Sequence, residues 1–511
     1  MSIALRPQVF YDRAARRGGT GVDERQARQA LRDALGERGF LDGADVEERY
    51  LVDVAGHRGE RPLALLRPQN TGEVSRAMAI CHAACIAVVP QGGRTGLAQG
   101  QLPRAGEAVL SLERMCAIES VDADAGMATV QAGVILQTLQ EHVDPLGFLF
   151  PLDLGGRGSC TIGGNIATNA GGNRVIRYGM TRELVIGLEA VLADGTVLDG
   201  LTPVIKNNTG PDLKQLFIGS EGVLGVITRA IVRLMPKPAE RAVALCCLPD
   251  FSAVRSLLRR VRSGLGGELT AFEVMWDSYY SRALRVAGRP PPLAGGHPFY
   301  ALVEASGTDA AAMTGRVEAT LQSAIEGGAV IDAVIAKSAA EIEHLWHLRD
   351  ISVEVARLMV PLVPFDVSVP VADMEPFVNR LDAAVLALDP RCDTIVFGHV
   401  GDGNLHIGVH RLEDRPELFE IIEESVYSLM SEYRGSVSAE HGIGVLKRDF
   451  LRHTRSAAEV ATMRALKQAL DPGASSIRDG SSRRSRLRER AGLFGRRAGT
   501  HAFRGVFSSG A

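Results

Sequence analysis

Short apolar and β-branched runs alternate with glycine-rich turns and polar helical stretches between Pro62 and Leu234. This alternation predicts strands interleaved with a few helices. The segment 71–84 predicts a helix, with Thr71 as its N-cap and Glu73 in its first turn. Asp194–Gly195 predicts a hairpin turn. The strands are expected within 63–68, 86–90, 108–112, 128–133, 185–199 and 225–234.

A second pattern follows Pro236–Pro238. Its order of strand, helix, strand, strand, helix, strand predicts a split, ferredoxin-like unit. These six elements are expected at 243–249, 251–264, 269–276, 299–306, 309–326 and 329–336, with a Pro/Gly loop at 288–296 between the middle strands. Helix 338–358, strand 362–369, helix 372–387, a hairpin of 394–400 and 404–410, helix 415–433 and the loop 436–444 are expected to follow.

The two ends of the chain do not join these patterns. Residues 1–45 predict a polar helical lead-in, because Ala and Leu recur at helical spacing through Arg28–Leu35. The end is rich in Gly, Ser and Arg without a periodic apolar face, which predicts disorder. It is either a natural basic tail or an aberrant, out-of-frame C-terminus. We therefore expect four regions, namely 1–45, 46–236, 237–472 and 473–511.

Composition narrows the class of protein. With 46% hydrophobic and 23% charged residues, the 511-residue chain is typical of a globular protein of several domains. It contains neither an 18-residue apolar run nor a secretory signal, so we expect a cytoplasmic protein that is not integral to a membrane. The net charge of −3 includes +7 in the tail, which leaves −10 elsewhere and argues against nucleic-acid binding. Seven scattered cysteines without CxxC spacing predict no disulfide framework and a reducing compartment.

Three glycine-dense loops predict a cofactor that carries phosphate. Gln91–Gly96 follows a predicted strand, the segment 151–172 holds seven glycines, and IGSEGVLG spans 218–225. Glycines let backbone N–H groups approach an anion closely. Walker A and GxGxxG patterns are absent from the sequence, which disfavours the common P-loop and Rossmann sites.

A different chemistry is indicated by GHVGDGNLH at 398–406. His399 and His406 flank a predicted hairpin turn, so their imidazoles can converge on one face, and Glu440 and His441 lie in a loop downstream. A single strand histidine is usually a packed residue, but two imidazoles and a carboxylate can bind a metal and leave positions open for a substrate.

Four strings resemble the FAD domain of vanillyl-alcohol-oxidase-type flavoproteins: PQGGRTGL, PLDLGGRGSCTIGGNIATNAGG, RYGMTRELVIGLEAVLADGTVLD and TGPDLKQLFIGSEGVLGVIT. Within that superfamily, residues 45–472 are most similar to D-2-hydroxyglutarate dehydrogenases, D-lactate dehydrogenases and the glycolate oxidase flavin subunit. The resemblance implies an α+β fold: a two-subdomain FAD-binding domain, a ferredoxin-like substrate or cap domain, and C-terminal helices.

The resemblance also implies roles for individual residues. His441 would be the catalytic base and Arg349 a clamp for the substrate carboxylate. Asn404 either orients the substrate or is a plain turn residue. The implied metal ligands are His399, His406 and Glu440. The implied FAD contacts are Gly92, Gly93, Arg94, Thr95, Gly96, Leu97, Ser159, Thr161, Gly163, Gly164, Asn165, Glu221 and Ile227.

Several positions depart from the family pattern. Arg94 stands where members with covalent flavin often have a histidine, so noncovalent FAD is expected. Val353 and Pro364 replace a threonine and a lysine that help bind a carboxylate in 2-hydroxyglutarate dehydrogenases. A smaller or more apolar substrate, such as D-lactate, is therefore expected. The family's closing Asn-Pro-Gly-Lys motif is absent after Asp471–Pro472.

The predicted reaction is FAD-dependent, metal-assisted oxidation of a D-2-hydroxy acid to the 2-oxo acid, with hydride transfer to flavin N5. Zinc is the expected divalent metal, with manganese, iron or cobalt as alternatives. Electrons would pass to a quinone, a cytochrome or an electron-transfer flavoprotein. A homodimer is expected, and a peripheral position at the inner membrane is the alternative to a purely cytoplasmic location. The alternatives left open are a D-2-hydroxyglutarate dehydrogenase proper, a flavin subunit of a glycolate-oxidase-like complex, an oxygen-using alcohol oxidase, and a product crippled by its C-terminus.

Overall fold

The computed structural model describes residues 23–472, so the predicted disorder of 473–511 and the first half of the predicted lead-in lie outside the described residues. Within the described part of the lead-in, Glu24–Gly39 is helical, as expected, but Phe40–Asp42 forms a strand that pairs with Ala64–Leu66. In this first helix Ala27, Leu31 and Leu35 are buried, and their spacing of four residues places them on one face.

The described chain consists of interleaved helices and strands. The α-helices are α1 (Glu24–Gly39), α2 (Thr71–Ala83), α3 (Leu136–Val143), α4 (Ile162–Thr168), α5 (Val175–Tyr178), α6 (Thr181–Leu184), α7 (Lys214–Phe217), α8 (Phe251–Leu265), α9 (Asp277–Ala287), α10 (Ala310–Glu326), α11 (Ala339–Asp350), α12 (Ser352–Arg357), α13 (Met374–Leu388), α14 (Leu418–Glu432) and α15 (Ala457–Leu470). The strands are β1 (Phe40–Asp42), β2 (Ala64–Leu66), β3 (Val88–Gln91), β4 (Ala108–Ser111), β5 (Ile118–Asp122), β6 (Met127–Gln131), β7 (Phe148–Leu149), β8 (Val185–Val191), β9 (Val197–Gly200), β10 (Val226–Arg233), β11 (Met235–Pro236), β12 (Glu240–Leu248), β13 (Leu269–Trp276), β14 (Phe299–Gly307), β15 (Asp332–Ile335), β16 (Leu362–Ser368), β17 (Asp393–Gly398) and β18 (Asn404–His410).

Two larger sheets and one short pair build the N-terminal part. A mixed sheet has the order β1-β2-β4-β3, an antiparallel sheet has the order β5-β6-β10-β8-β9, and β7 pairs with β11. The predicted turn at Asp194–Gly195 joins the antiparallel strands β8 and β9, and Gly195 has a φ of +88°. The N-cap of α2 was predicted one residue late. Asn70 is the cap, because its side chain accepts a hydrogen bond from the Glu73 backbone N–H.

The C-terminal part contains a seven-stranded antiparallel sheet of order β15-β12-β14-β13-β17-β18-β16. Its first four strands have the order expected of a ferredoxin-like unit, with α8 and α10 as the two helices. The hairpin of β17 and β18 was also predicted and extends the sheet.

In this part the sequence analysis missed one helix and predicted another as longer than it is. The connection between β13 and β14 contains α9 ahead of its Pro/Gly loop, because Tyr279, Tyr280 and Ala283 bury one helical face. The predicted helix 338–358 is interrupted at Ile351, whose ψ of +28° divides α11 from α12.

Each part has its own apolar core, one built from residues between Ala27 and Leu234 and the others from residues after Pro238. The last helix, α15, packs Leu466 and Leu470 against the N-terminal core. All seven cysteines are free thiols. No helix within residues 23–472 is both long and apolar enough to cross a membrane.

Candidate active site

One cleft of about 800 Å³ collects the predicted glycine loops and the predicted histidines. We call it the central cleft; its walls come from 90–101, 153–174, 221–227, 339–365, 395–408 and 440–441. Among the predicted FAD contacts, every one except Ser159 lines it. Its volume is in the range usual for ligand and cofactor sites.

The first two glycine loops are in contact at the wall of the cleft. A Cβ on Gly92 would lie 2.4 Å from Thr161 Oγ1, and one on Gly93 would lie 1.9 Å from the Ser159 carbonyl oxygen. Ser159 therefore stands behind the loop and reaches it through its backbone. Thr161 is the N-cap of α4, where its side chain accepts a hydrogen bond from Gly164 N–H. Only glycine fits this close approach, so the loops leave backbone facing the cleft, as a large phosphate-bearing cofactor requires.

Arg94 has a φ of +59°, and its guanidinium lies 5.3 Å from the centre of the Tyr50 ring. In the second loop, Asn165 is buried, with its amide nitrogen 3.5 Å from Cys160 Sγ. Burial raises the pKa of the Cys160 thiol to about 11, so it is neutral near pH 7.

The third loop serves a purpose that sequence reasoning missed. Both carboxylate oxygens of Glu221 accept hydrogen bonds from the loop that carries the predicted base: Ile443 N–H at 2.7 Å and Gly444 N–H at 2.8 Å. Burial raises the pKa of Glu221. The Ala98 carbonyl, two residues after the first glycine loop, accepts a further hydrogen bond from Val445 N–H at 2.9 Å. The loop of His441 is thus fixed to the third glycine loop and to the residues just after the first.

The predicted metal ligands converge on one oxygen. His399 Nε2 lies 3.7 Å and His406 Nε2 lies 3.8 Å from Glu440 Oε2. Each separation is shorter than twice a zinc–ligand bond of ~2.0–2.2 Å, so either imidazole can share an ion with Glu440. Glu440 also faces the second glycine loop, since a Cβ on Gly171 would lie 2.9 Å from Glu440 Oε1.

Buried carboxylates face the other nitrogen of each imidazole. His399 Nδ1 lies 2.7 Å from Glu273 Oε1, and His406 Nδ1 lies 3.9 Å from Asp366 Oδ1, which has no hydrogen-bond partner among the described residues. A carboxylate behind a ligating imidazole fixes its orientation and tautomer. The donor set and its surroundings therefore fit a divalent metal.

Asp366 organises the loop of the predicted base. Its Oδ2 accepts hydrogen bonds from the backbone N–H groups of Glu440 and His441, each at 2.9 Å, and Lys447 Nζ lies 3.8 Å away. His441 Nδ1 is 3.7 Å from the same oxygen. One ligand atom each from Asp366, His406, Glu440 and His441 lies within 4.8 Å of the others, which makes these four a second possible ligand group.

Arg349 is part of this network and less free than a simple clamp. Its Nε donates to Glu273 at 2.9 Å, Nη1 lies 3.5 Å from Asp350, and Nη2 lies 3.0 Å from His399 Nε2. It lines the cleft and keeps unused N–H donors on both terminal nitrogens.

The electrostatics of the two imidazoles differ. Burial alone would lower the pKa of His399, but the carboxylates of Glu273 and Glu440 raise it to about 9. Burial, followed by the neighbouring His399, lowers the pKa of His406 well below its usual value. Burial opposes ionisation of Glu273 as well, yet His399 and Arg349 lower the pKa of that carboxyl to about 2.

Asn404 is buried at the start of β18, and neither atom of its side-chain amide has a hydrogen-bond partner within residues 23–472. It is not among the residues that line the central cleft. Its predicted role toward the substrate stays a prediction.

Comparison with known proteins identifies the family of this chain. A family described as FAD binding domain matches residues 62–200, and one described as FAD linked oxidases, C-terminal domain, matches residues 237–474. The mitochondrial D-2-hydroxyglutarate dehydrogenase of Arabidopsis thaliana is 38% identical over 444 residues, which cover 86% of this chain and 79% of the relative. A mitochondrial protein of Schizosaccharomyces pombe named as a D-lactate dehydrogenase is 37% identical over 463 residues, covering 87% and 88%. The chain belongs to the FAD-linked D-2-hydroxy-acid dehydrogenase family.

A solved structure supports the fold. p-Cresol methylhydroxylase with substrate bound superposes with a TM-score of 0.68 at 14% identity, over 90% of this chain and 98% of that one. The fold is of the vanillyl-alcohol-oxidase type, as the sequence predicted. The dehydrogenase is an FAD-dependent oxidoreductase.

Sequence reasoning identified the histidines and the glycine loops of the dehydrogenase but missed Glu273 and Asp366 as site residues. Each is an acidic residue inside an otherwise apolar strand, in TAFEVMW and LVPFDVS, and each is about 1% exposed. A carboxylate at such a position must have a buried partner. That signal was present in the sequence, whereas the identity of the partners depends on the fold.

Proposed function

We propose that this dehydrogenase oxidises the hydroxyl of a D-2-hydroxy monocarboxylate to the 2-oxo acid with the help of a divalent metal. The observation that carries the proposal is the convergence of His399, His406 and Glu440 at the end of the cleft that also holds the glycine loops. When bound, FAD supplies a hydride acceptor at flavin N5, and a divalent ion supplies a Lewis acid that makes the substrate hydroxyl more acidic.

The residues of the chain would then divide the work as follows. His406, Glu440 and His399 would hold the ion. Glu273 keeps the imidazole of His399 in place, and the Asp366 carboxylate lies 3.9 Å from that of His406. For His399 to act as a ligand, the guanidinium of Arg349 must move off His399 Nε2, where it now lies at 3.0 Å. A bound substrate carboxylate would attract the guanidinium away from His399, because the remaining N–H donors of Arg349 suit a carboxylate.

His441 is the proposed base. Its side chain is one-third exposed in the cleft, and the backbone N–H bond to Asp366 fixes the position of its Cα. A base must be able to reach the hydroxyl proton, and the anchored loop holds His441 beside the Glu440 that the ion needs.

The proposed preference for a monocarboxylate substrate rests on two residues of the cleft that cannot bind a second carboxylate. Val353 and Pro364 both line it and supply neither a donor nor a charge, and within the described residues no lysine lines it. D-2-Hydroxyglutarate is the second candidate, because it is the substrate in the name of the Arabidopsis relative and because Arg174 and Arg241 also line the cleft.

We further propose that the FAD is noncovalent, since Arg94 occupies the candidate flavinylation position and stacks on Tyr50. Acid precipitation should release the flavin into the supernatant; flavin that stays with the pellet would contradict this. A quinone, a cytochrome or an electron-transfer flavoprotein is the proposed acceptor, and the cytoplasmic location and the homodimer stay predictions.

The deciding experiment is a dye-linked assay of the purified holoenzyme against paired D- and L-2-hydroxy acids, before and after exhaustive chelation. We expect activity with the D-enantiomers only, lost on chelation and restored by zinc, manganese or cobalt. Full activity after verified metal removal would eliminate the metal from the proposal. Rapid peroxide formation without dye would instead favour an oxygen-using oxidase, and activity only with co-purifying subunits would favour a multi-subunit flavin enzyme.

A further inference from the structure

We infer that the side chain of the 2-hydroxy acid is bulky and apolar, a branched aliphatic or phenyl group, and this inference rests on the proposed function. It would occupy the apolar subsite, which we define as the part of the central cleft walled by Val353, Ala356, Leu362, Ile395 and Phe397.

The subsite begins at the reacting groups. The ring of Phe397 lies 5.1 Å from the ring of His406, and the Arg349 guanidinium lies 5.5 Å from the Phe397 ring. Tyr279 stacks on Phe397 with ring centres 4.3 Å apart, so this wall is fixed in place. A substrate whose carboxylate reaches Arg349 and whose hydroxyl reaches the histidines therefore has its third substituent next to an aromatic surface.

The strands continue this apolar wall. Leu362 and Ile395 are buried in β16 and β17, on either side of β18. Between them, Gly408 brings no side chain: a Cβ there would lie 2.9 Å from both Ile395 Cγ1 and Leu362 Cδ1. The two aliphatic side chains cover this position, so β18 offers no polar side chain at this depth. Val353 and Ala356, both half-buried on α12, line the same cleft.

Two other arginines of the cleft already have acidic partners. Arg174 lies 3.2 Å from Asp153, and Arg241 lies 3.8 Å from the buried Glu304. The Trp346 ring nitrogen donates to the same Glu304 at 2.9 Å. A second substrate carboxylate would have to displace Asp153 or lie near Glu304, and both carry an electrostatic cost. An apolar substituent in the apolar subsite has no such cost, and its burial removes apolar surface from water.

The size of the expected preference follows from burial. Each buried methylene contributes about fourfold in affinity. Extending the side chain from the methyl of D-lactate to the isobutyl of D-2-hydroxyisocaproate should raise kcat/KM by roughly 10- to 60-fold. D-Malate and D-2-hydroxyglutarate should rank below D-lactate.

The test measures kcat/KM of the holoenzyme for D-lactate, D-2-hydroxybutyrate, D-2-hydroxyisocaproate, D-phenyllactate, D-malate and D-2-hydroxyglutarate. Calorimetric binding of the corresponding 2-oxo acids provides a second readout independent of turnover. Ala356→Phe fills the subsite and should reduce kcat/KM at least tenfold more for D-2-hydroxyisocaproate than for D-lactate. Leu358→Phe is the control, because Leu358 is exposed and outside the cleft lining.

A charge variant tests the same wall from the other direction. Val353→Lys should shift the preference at least tenfold from D-2-hydroxyisocaproate toward D-2-hydroxyglutarate, whereas Glu354→Lys, one residue along α12 and exposed, should not. Equal or falling kcat/KM with side-chain length, while D-lactate is still oxidised, would overturn the inference and leave the proposed function standing. If none of the acids is oxidised, the proposed function fails, and the rank of 2-oxo acid binding decides the inference by itself.

Discussion

The two ends of the central cleft are built on different principles. The cofactor end is shaped by backbone: its glycine loops approach each other so closely that no side chain fits between them, as at Gly93 and Ser159. The substrate end consists of charged side chains buried against one another, as in the chain of contacts from Arg349 through Glu273 to His399.

This difference predicts how each end fails. The cofactor end should tolerate the loss of any one side chain, because glycines and backbone atoms determine its shape. A buried network of charges does not, because the removal of one partner leaves another charge unpaired in a medium of low dielectric constant. Substitutions at the substrate end should therefore abolish turnover while the cofactor remains bound.

The largest expected effect is that of His406→Ala, which removes one of the two imidazoles that face Glu440. Turnover should fall to the background of the dye-linked assay, with the flavin absorbance per protein unchanged, because the glycine loops belong to other elements. The control is His410→Ala on the same strand, where Nδ1 hydrogen-bonds to the Met359 carbonyl oxygen at 2.9 Å. Appreciable turnover, or loss of flavin, would break the distinction between the two ends.

His441→Ala should have the next largest effect, since it removes the proposed base while the metal ligands remain. The rate should fall by roughly 10²–10⁴-fold, the usual contribution of a positioned base. Metal content by atomic emission should stay at its original value, as it should in the control His453→Ala, where the histidine pairs with Glu424 far from the cleft. Loss of metal from the His441 variant would instead place His441 in the ligand set with Asp366.

The cofactor end could be predicted from sequence because it is local. Its glycines fall in three short strings, and the same loops line the cleft. The substrate end could be predicted only in part, since the spacing of His399 and His406 marks a hairpin but does not reveal what lies behind it. Glu273 is 126 positions from His399 in the chain, and only the pairing of β13 with β17 brings the two together.

Helix α9 was missed for a similar reason. Its apolar positions, Tyr279, Tyr280 and Ala283, form a short pattern next to a Pro/Gly-rich loop, and burial against α11 and α12 makes the segment a helix. Tertiary contacts determine the register of a long apolar strand and the partners of a buried charge. They also determine whether a short amphipathic segment becomes a helix.

Glu273→Gln should have a smaller effect, because it keeps the shape of the side chain but removes the charge behind His399. Metal affinity should fall by roughly 10–100-fold, the usual cost of losing such a supporting contact. A competition titration with a chromophoric chelator measures this directly. Glu304→Gln is the matched control: it is equally buried on the neighbouring strand and bonds to Trp346 and Thr270 rather than to the cluster. Equal losses in both variants would indicate a general weakening of the sheet.

The smallest expected effect tests where the two ends join. Glu221 belongs to a glycine loop, yet its two oxygens hold Ile443 and Gly444, beside the proposed base. Glu221→Gln keeps one acceptor oxygen and turns the other into an amide nitrogen, which cannot accept the second N–H. The loss of one hydrogen bond to a charged group costs about 1.5 kcal/mol or more, so kcat should fall about tenfold through misplacement of His441.

Flavin affinity separates two roles of Glu221. It should not change if the side chain only holds the His441 loop, whereas loss of a direct contact with FAD, as the family resemblance implied, would lower it as well. Glu189→Gln provides the comparison, because Glu189 is buried in the same half and accepts hydrogen bonds from Thr71 and Thr228, with Arg229 3.6 Å away. A fall in kcat for Glu221→Gln alone, at constant flavin content, would show that the backbone end of the cleft positions the base at the charged end.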